Sequence, residues 1–154
     1  MDKVYMGRGS PSLHTVWIPF MDIAAQREGG LALLQGSHRL PGFERVRETY
    51  GEHDVHKAGI AGDGWLSRDP LELLGFDHGP AAEAAGQGEA ARWVTADFAA
   101  GDVVLFGMHM LHGSVGNQTA ETMRLSCDVR FQPAGASSLA PDLAPDLLLV
   151  TSCW

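Results

Sequence analysis

Cysteine is nearly absent from this 154-residue chain: Cys127 and Cys153 are the two. They make no disulfide framework and no CxxC spacing. Positive charge is also scarce. Eleven Lys and Arg stand against nineteen Asp and Glu, a formal net charge of −8. This disfavours nucleic acid and anionic membranes as partners, since both call for a basic face. No run of eighteen apolar residues occurs, so no membrane span is evident, and no basic-then-apolar leader is present. The expected location is a reducing cytoplasm. Asn117-Gln118-Thr119 has the form of a glycosylation sequon, but without a secretory leader it reads as a loop. No internal repeat is visible.

What the chain does have is glycine, nineteen residues, with eight prolines. They fall between short apolar runs, a pattern of many strands joined by tight turns. A length of 154 residues suits one compact domain whose core buries most of its apolar surface. Residues 3–6 make a short strand ending in a turn at 7–11. Residues 13–21 are β-branched and aromatic, and Pro19 places their far end at an edge or bulge. A polar connection from Asp22 ends in Gly29-Gly30, and residues 31–35 form the next strand. Residues 93–98, 103–111 and 124–132 read as further strands.

Residues 41–92 differ. Charges and glycines mix there with a few apolar anchors, Phe43, Trp65, Leu71, Leu74 and Phe76. Asp69 and Pro70 have the form of a helix start. Residues 81–91 are alanine- and glycine-rich and read as a loop. So long an insertion in a compact domain reads as a lid or binding loop, the bland alternative being an insertion without a role. Residues 135–154 read as a tail. Strands, a long mixed insertion, then strands, with no alternating helices, predict an all-β sandwich or barrel over residues 1–134.

The stretch His109 to Ser126 holds the densest chemistry. Side chains two apart on a strand share a face. His112 and Ser114 therefore point one way and His109 the other, so the two histidines do not form a metal pair. On the next strand Arg124, Ser126, Asp128 and Arg130 share one face, and Leu125, Cys127, Val129 and Phe131 share the other. The apolar face is for packing. The charged face is either solvated or lines a pocket for an anion, for which an arginine fork beside a hydroxyl is well suited.

Three segments, His14 to Ile23, Gly29 to Arg39 and Gly101 to Thr119 followed by Arg124, together resemble the phytanoyl-CoA dioxygenase family of iron(II)- and 2-oxoglutarate-dependent oxygenases. The resemblance covers residues 1–133. It implies a double-stranded β-helix (a cupin-like jelly roll) and iron(II), 2-oxoglutarate and dioxygen as cofactor and co-substrates. It implies hydroxylation of a small organic substrate, with 2-oxoglutarate decarboxylated to succinate. By the same resemblance His112 is an iron ligand, and Arg124 binds the far carboxylate of 2-oxoglutarate. Ser126 and Ser114 add hydrogen bonds, and Trp17 lines the co-substrate pocket. Trp17 also reads as simple core. His109 and His38 read as structural, and the insertion closes over the substrate with Trp65 and Phe76 as wall residues.

Such oxygenases hold iron with two histidines and one carboxylate. In the family the first two of these come from a His-x-Asp motif ahead of the tryptophan strand. No His-x-Asp or His-x-Glu occurs in this chain. Counting back through the expected strand and turn puts the family's aspartate at Asp2 and its histidine one place before Met1. The expectation is a chain that starts inside the metal motif, with Asp2 as the carboxylate ligand or, on the bland reading, a solvated end residue. Iron affinity and activity should then be low. An uncovered apolar face bearing Leu125, Val129 and Phe131 would favour self-association. Two rivals use the same shell: a non-catalytic cupin-like module binding a carboxylate, and a cupin-like isomerase or sugar-binding barrel.

Overall fold

A computed structural model describes residues 1–2, 10–49, 91–133 and 152–153. Among them the protein is mostly β-sheet with short helical turns. No helix among the described residues is long and apolar enough to cross a membrane. The expected strand at 3–6, the helix start at Asp69, Trp65, Phe76 and the 81–91 tract lie outside the described residues.

The described residues divide into two compact units. One comprises residues 1–2, 33–49, 91–94 and 109–111. The other comprises 10–32, 95–108, 112–133 and 152–153.

The second unit contains a four-stranded sheet. Strand β1 (His14–Pro19) is flanked by β4 (Val104–Gly107) and β6 (Ser126–Phe131), and β7 (Ser152–Cys153) pairs with the far side of β6. All three pairings are antiparallel. The register places Thr15 between Phe106 and Arg130, and Trp17 between Val104 and Asp128. These residues therefore share one face. Val16, Leu105 and Val129 share the other. Ser152–Cys153 falls in the segment read as a tail, and its backbone extends the sheet.

Three strand expectations need correction. The run 103–111 is not one strand. As a strand it ends at Gly107, opposite His14, the first residue of β1, and one further backbone bond, Met108 N to Leu13 O (3.1 Å), closes the pairing. A separate strand, β5 (His112–Ser114), follows. The run 93–98 yields only β3 (Trp93–Val94). Thr95 then donates its hydroxyl to Leu31 O (2.7 Å), and Phe98 makes an isolated bridge with Ile23. The connection after Asp22 contains one helical turn, α1 (Ala25–Glu28). Its first amides are satisfied by carboxylates: Ala24 N donates to Glu28 Oε2 (2.8 Å) and Ala25 N to Asp97 Oδ1 (2.9 Å).

Strand β2 (Leu31–Leu34) contributes to both units. Its last residues, Leu33 and Leu34, pair with Val94 and Trp93 of β3. In the first unit the start of the insertion is ordered packing rather than loop. Pro41–Phe43 forms a 3-10 turn and Glu44–Thr49 a short helix, α2. Phe43 and Val46 from these turns join Leu34 and Leu111 in a buried cluster, with Trp93 and Leu40 against it. Each such side chain contributes roughly 1.5–3 kcal/mol through burial. Ser37 ties the unit together: its hydroxyl accepts from Leu111 N (2.9 Å) and donates to Met110 Sδ (3.4 Å).

Candidate functional site

The site residues read from the sequence fall mainly in the second unit, and the structure brings three of them into contact. Arg124 lies just before β6. Its Nη1 donates to Gly29 O (2.6 Å) and to Ser114 Oγ (3.0 Å), and its guanidinium carbon lies 5.8 Å from the centre of the Trp17 ring. Arg124, Ser114 and Trp17 thus form one cluster. Of the two serines expected to assist, Ser114 bonds Arg124. Ser126 is buried on the same face of β6, opposite Pro19.

Local chain geometry explains why Arg124 is held there. Gly29 caps α1 in the left-handed conformation (φ 79°), which only glycine adopts without strain. That turn presents its carbonyl to the guanidinium. Gly30 must also be glycine, because a Cβ there would lie 2.6 Å from Ala25 Cα. On the other side, the polar turn after β5 is closed by Asn117. Its Nδ2 donates to Thr122 O (2.6 Å), and its Oδ1 accepts from Thr119 N (2.8 Å). The sequon asparagine is therefore a turn residue, and the turn sets Arg124 beside Ser114.

Trp17, 3% exposed, makes an edge-on contact with Phe98 at 4.9 Å between centroids. Its burial fits the core reading, and Arg124 lies over its ring. His112 is half-buried, and its ring packs on Phe106 at 4.6 Å between centroids. Phe106 is the cross-strand partner of Thr15 on the face that carries Trp17.

The electrostatics of Arg124 are unusual for an arginine in a folded chain. Burial pushes its pKa down, and the charge of Asp128 pushes it back up. Among the described residues no carboxylate stands within ion-pair distance of it. A guanidinium that loses water without gaining a close anion is poised for a ligand that supplies one.

The remaining expected residues lie elsewhere. Asp2 belongs to the first unit and is 3% exposed, so it is not a solvated end residue. His109 also belongs to the first unit and is not part of β5. The alternation expected for the two histidines does not apply, because 109–114 is not one strand. His38 sits exposed in the turn after β2, and burial and the charges of Arg39 and Arg47 lower its pKa.

Sequence reasoning missed Gly29 as the carbonyl that anchors Arg124, and Phe98 and Phe106 as the rings that seat Trp17 and His112. The Gly29-Gly30 pair was the available signal, and it read only as a turn.

Among the described residues no three His, Cys, Asp or Glu side chains group together as a metal site would require. These residues fit a carboxylate ligand, but they do not complete an iron triad, and no chemical step follows through iron from them. A family model, that of phytanoyl-CoA dioxygenase, matches residues 2–126. The match takes in Asp2, Trp17, His112, Ser114, Arg124 and Ser126.

Proposed function

The chain belongs to the phytanoyl-CoA dioxygenase family, and from that premise we propose that it carries the 2-oxoglutarate site of an iron-dependent oxygenase, built on a double-stranded β-helix. The observation that carries this reading is the state of Arg124: half-buried, fixed by Gly29 O and Ser114 Oγ, laid over Trp17, and with no carboxylate of the described residues at ion-pair distance. Its Nη1 is engaged, which leaves Nη2 and Nε as a fork for a carboxylate. The indole and Phe98 make one apolar wall, which strengthens the charged contact by excluding water.

In this reading His112 is a metal ligand, seated against Phe106, and Asp2 is the carboxylate ligand by its place in the sequence. Burial of Asp2 sets it apart from a solvated end residue. Iron(II), when bound, supplies oxygen activation for hydroxylating a small organic substrate, and the residues described here orient and shield the co-substrate.

Calorimetry with 2-oxoglutarate tests the reading. Binding should be lost in Arg124→Gln and retained in a variant of an exposed residue of the first unit such as Glu48→Gln. Equal binding by wild type and Arg124→Gln would contradict it.

A second reading has its own support: a carboxylate-binding module without a metal. Two observations favour it, the lack of any His-x-Asp or His-x-Glu and the lack of a three-ligand group among the described residues. Anaerobic addition of iron(II) and 2-oxoglutarate separates the two. A weak visible charge-transfer band supports the oxygenase, and carboxylate binding without that band supports the module.

A further inference from the structure

The two cysteines of the chain meet in the fold. Strands β6 and β7 pair antiparallel, with Cys127 directly opposite Cys153 and Asp128 opposite Ser152. Residues 128–152 lie between the two cysteines in sequence, so it is the pairing of β7 with β6 that brings them together. Opposed residues of an antiparallel ladder have Cα atoms about 4.5 or 5.5 Å apart. Disulfides span Cα separations of about 4.4–6.8 Å. Either kind of ladder position therefore lets the two backbones carry a bridge in the register they already have. Cys127 is 8% exposed and alternates along β6 with Ser126 and Asp128. It thus stands on the side of the sheet away from Trp17, the partner of Asp128. Strand β7 is two residues long, and so short a ladder is held only weakly by its hydrogen bonds.

We propose that Cys127 and Cys153 are a redox modification site: they form a reversible disulfide that fastens β7 to the sheet. The oxidant is a small-molecule disulfide of the glutathione class. One cysteine thiolate attacks it, a first small thiol leaves, and a mixed disulfide remains on the protein. The second cysteine thiolate attacks the protein sulfur of that mixed disulfide and expels the second small thiol. Two S–H bonds of the chain are replaced by one S–S bond, and the two protons and two electrons end on the two small thiols. Excess small thiol drives the same steps backward, so the bond follows the thiol–disulfide balance around the protein. The bond is independent of the clamp, and it stands or falls whether or not Arg124 binds a carboxylate.

The full chain, equilibrated in mixtures of reduced and oxidised glutathione, quenched with acid and alkylated, tests the proposal. Trypsin cleaves after Arg124 and Arg130, so digestion without reductant should yield residues 125–130 joined to 131–154. Dithiothreitol should part them. The bond should form on the order of a hundredfold more favourably in native protein than in urea, because a fold that holds the two cysteines in register favours a bond closing a loop of about 25 residues. The oxidised chain should melt roughly 5–10 °C above the reduced one. Cys153→Ser leaves the buried Cys127 in place and should show neither the joined peptides nor the melting shift, so the test does not depend on Cys127→Ser folding. Equal bond formation in native protein and in urea overturns the proposal, as do dimers or glutathione adducts in place of the joined peptides. A melting temperature unmoved by oxidation, or a shift that persists in Cys153→Ser, overturns it as well.

Discussion

The two faces of the four-stranded sheet assign polar and apolar side chains in an unexpected way. Toward one face β1, β4 and β6 direct Thr15, Trp17, Phe106, Ser126, Asp128 and Arg130. Toward the other they direct Val16, Ile18, Leu105, Val129 and Phe131. The face with the charges is the better buried one. On the apolar face Leu105 is 62% exposed and Phe131 43%. Strand alternation tells which residues share a face, but what packs against that face decides which is inside. On the charged face Arg130 lies beside Asp128, and Arg124 is held by Gly29 O and Ser114 Oγ over the Trp17 ring. On the charged face Arg130 is buried and Arg124 and Asp128 are half-buried, while on the apolar face Cys127 is buried and Leu125 and Phe131 are exposed.

The sharpest way to break the comparison is to truncate one residue on each face. Trp17→Ala removes a buried ring and should destabilise the protein by about 3–5 kcal/mol. Leu105→Ser on the other face should stay within about 0.5 kcal/mol. Urea titrations of both variants decide it, and comparable losses would mean that the Leu105 face is covered.

Next in size is the effect on the ligand. Arg124→Gln should cost about 2–3 kcal/mol of 2-oxoglutarate binding, near a hundredfold, from one charge-assisted fork. Arg124→Lys keeps the charge without the fork and should recover only part of it. Calorimetry reads both, and full recovery by lysine would mean that charge alone suffices.

The apolar face calls for a smaller, concentration-dependent effect. In a purified preparation the apolar surface available to it is that of a second copy. A three-strand face six residues long spans roughly 14 by 20 Å. That is well below the ~800 Å² per partner of a standard interface, so association should be weak and reversible. Sedimentation should show a shift to larger species with concentration, and Leu105→Lys or Phe131→Lys should remove it. A clean monomer at all concentrations would show that the face needs no cover.

The smallest effect is a control in the first unit. Burial and the charges of Arg39 and Arg47 depress the pKa of His38 below its ordinary 6.5. As pH falls through 6.5 the unfolded chain takes up a proton that the folded chain resists, so this residue lowers stability on acidification. The loss stops growing once pH is below the depressed folded value. The side chain is exposed, so the effect is slight. His38→Asn should flatten that part of the stability profile, with the profile read from melts between pH 5 and 7.

Much of the clamp was legible in the chain. The shared face of Ser126, Asp128 and Arg130, and of His112 and Ser114, follows from strand period alone, although Arg124 itself precedes the strand. The strand at 13–21 appeared as β1 within two residues at either end. The Asn117 segment behaved as the polar turn it resembles. What was not legible is non-local. The run 103–111 stops as a strand at Gly107, opposite the first residue of β1, and no apolar pattern records where a neighbouring strand begins. Phe43 looked like an isolated anchor in an insertion, yet it joins a core with Leu34 and Leu111 that forms only when distant segments meet.

Taken by itself, the sequence determined which side chains share a face, where glycine and asparagine must turn the chain, and which arginine stands near a hydroxyl. Those properties depend on neighbours within a few residues and on backbone period. Only the tertiary structure decided that the charged face is the buried one, that Gly29, 95 positions away, supplies the carbonyl that fixes Arg124, and that Asp2 is buried. Burial and long-range hydrogen bonds are properties of what the folded chain brings together, and no local pattern encodes the partner.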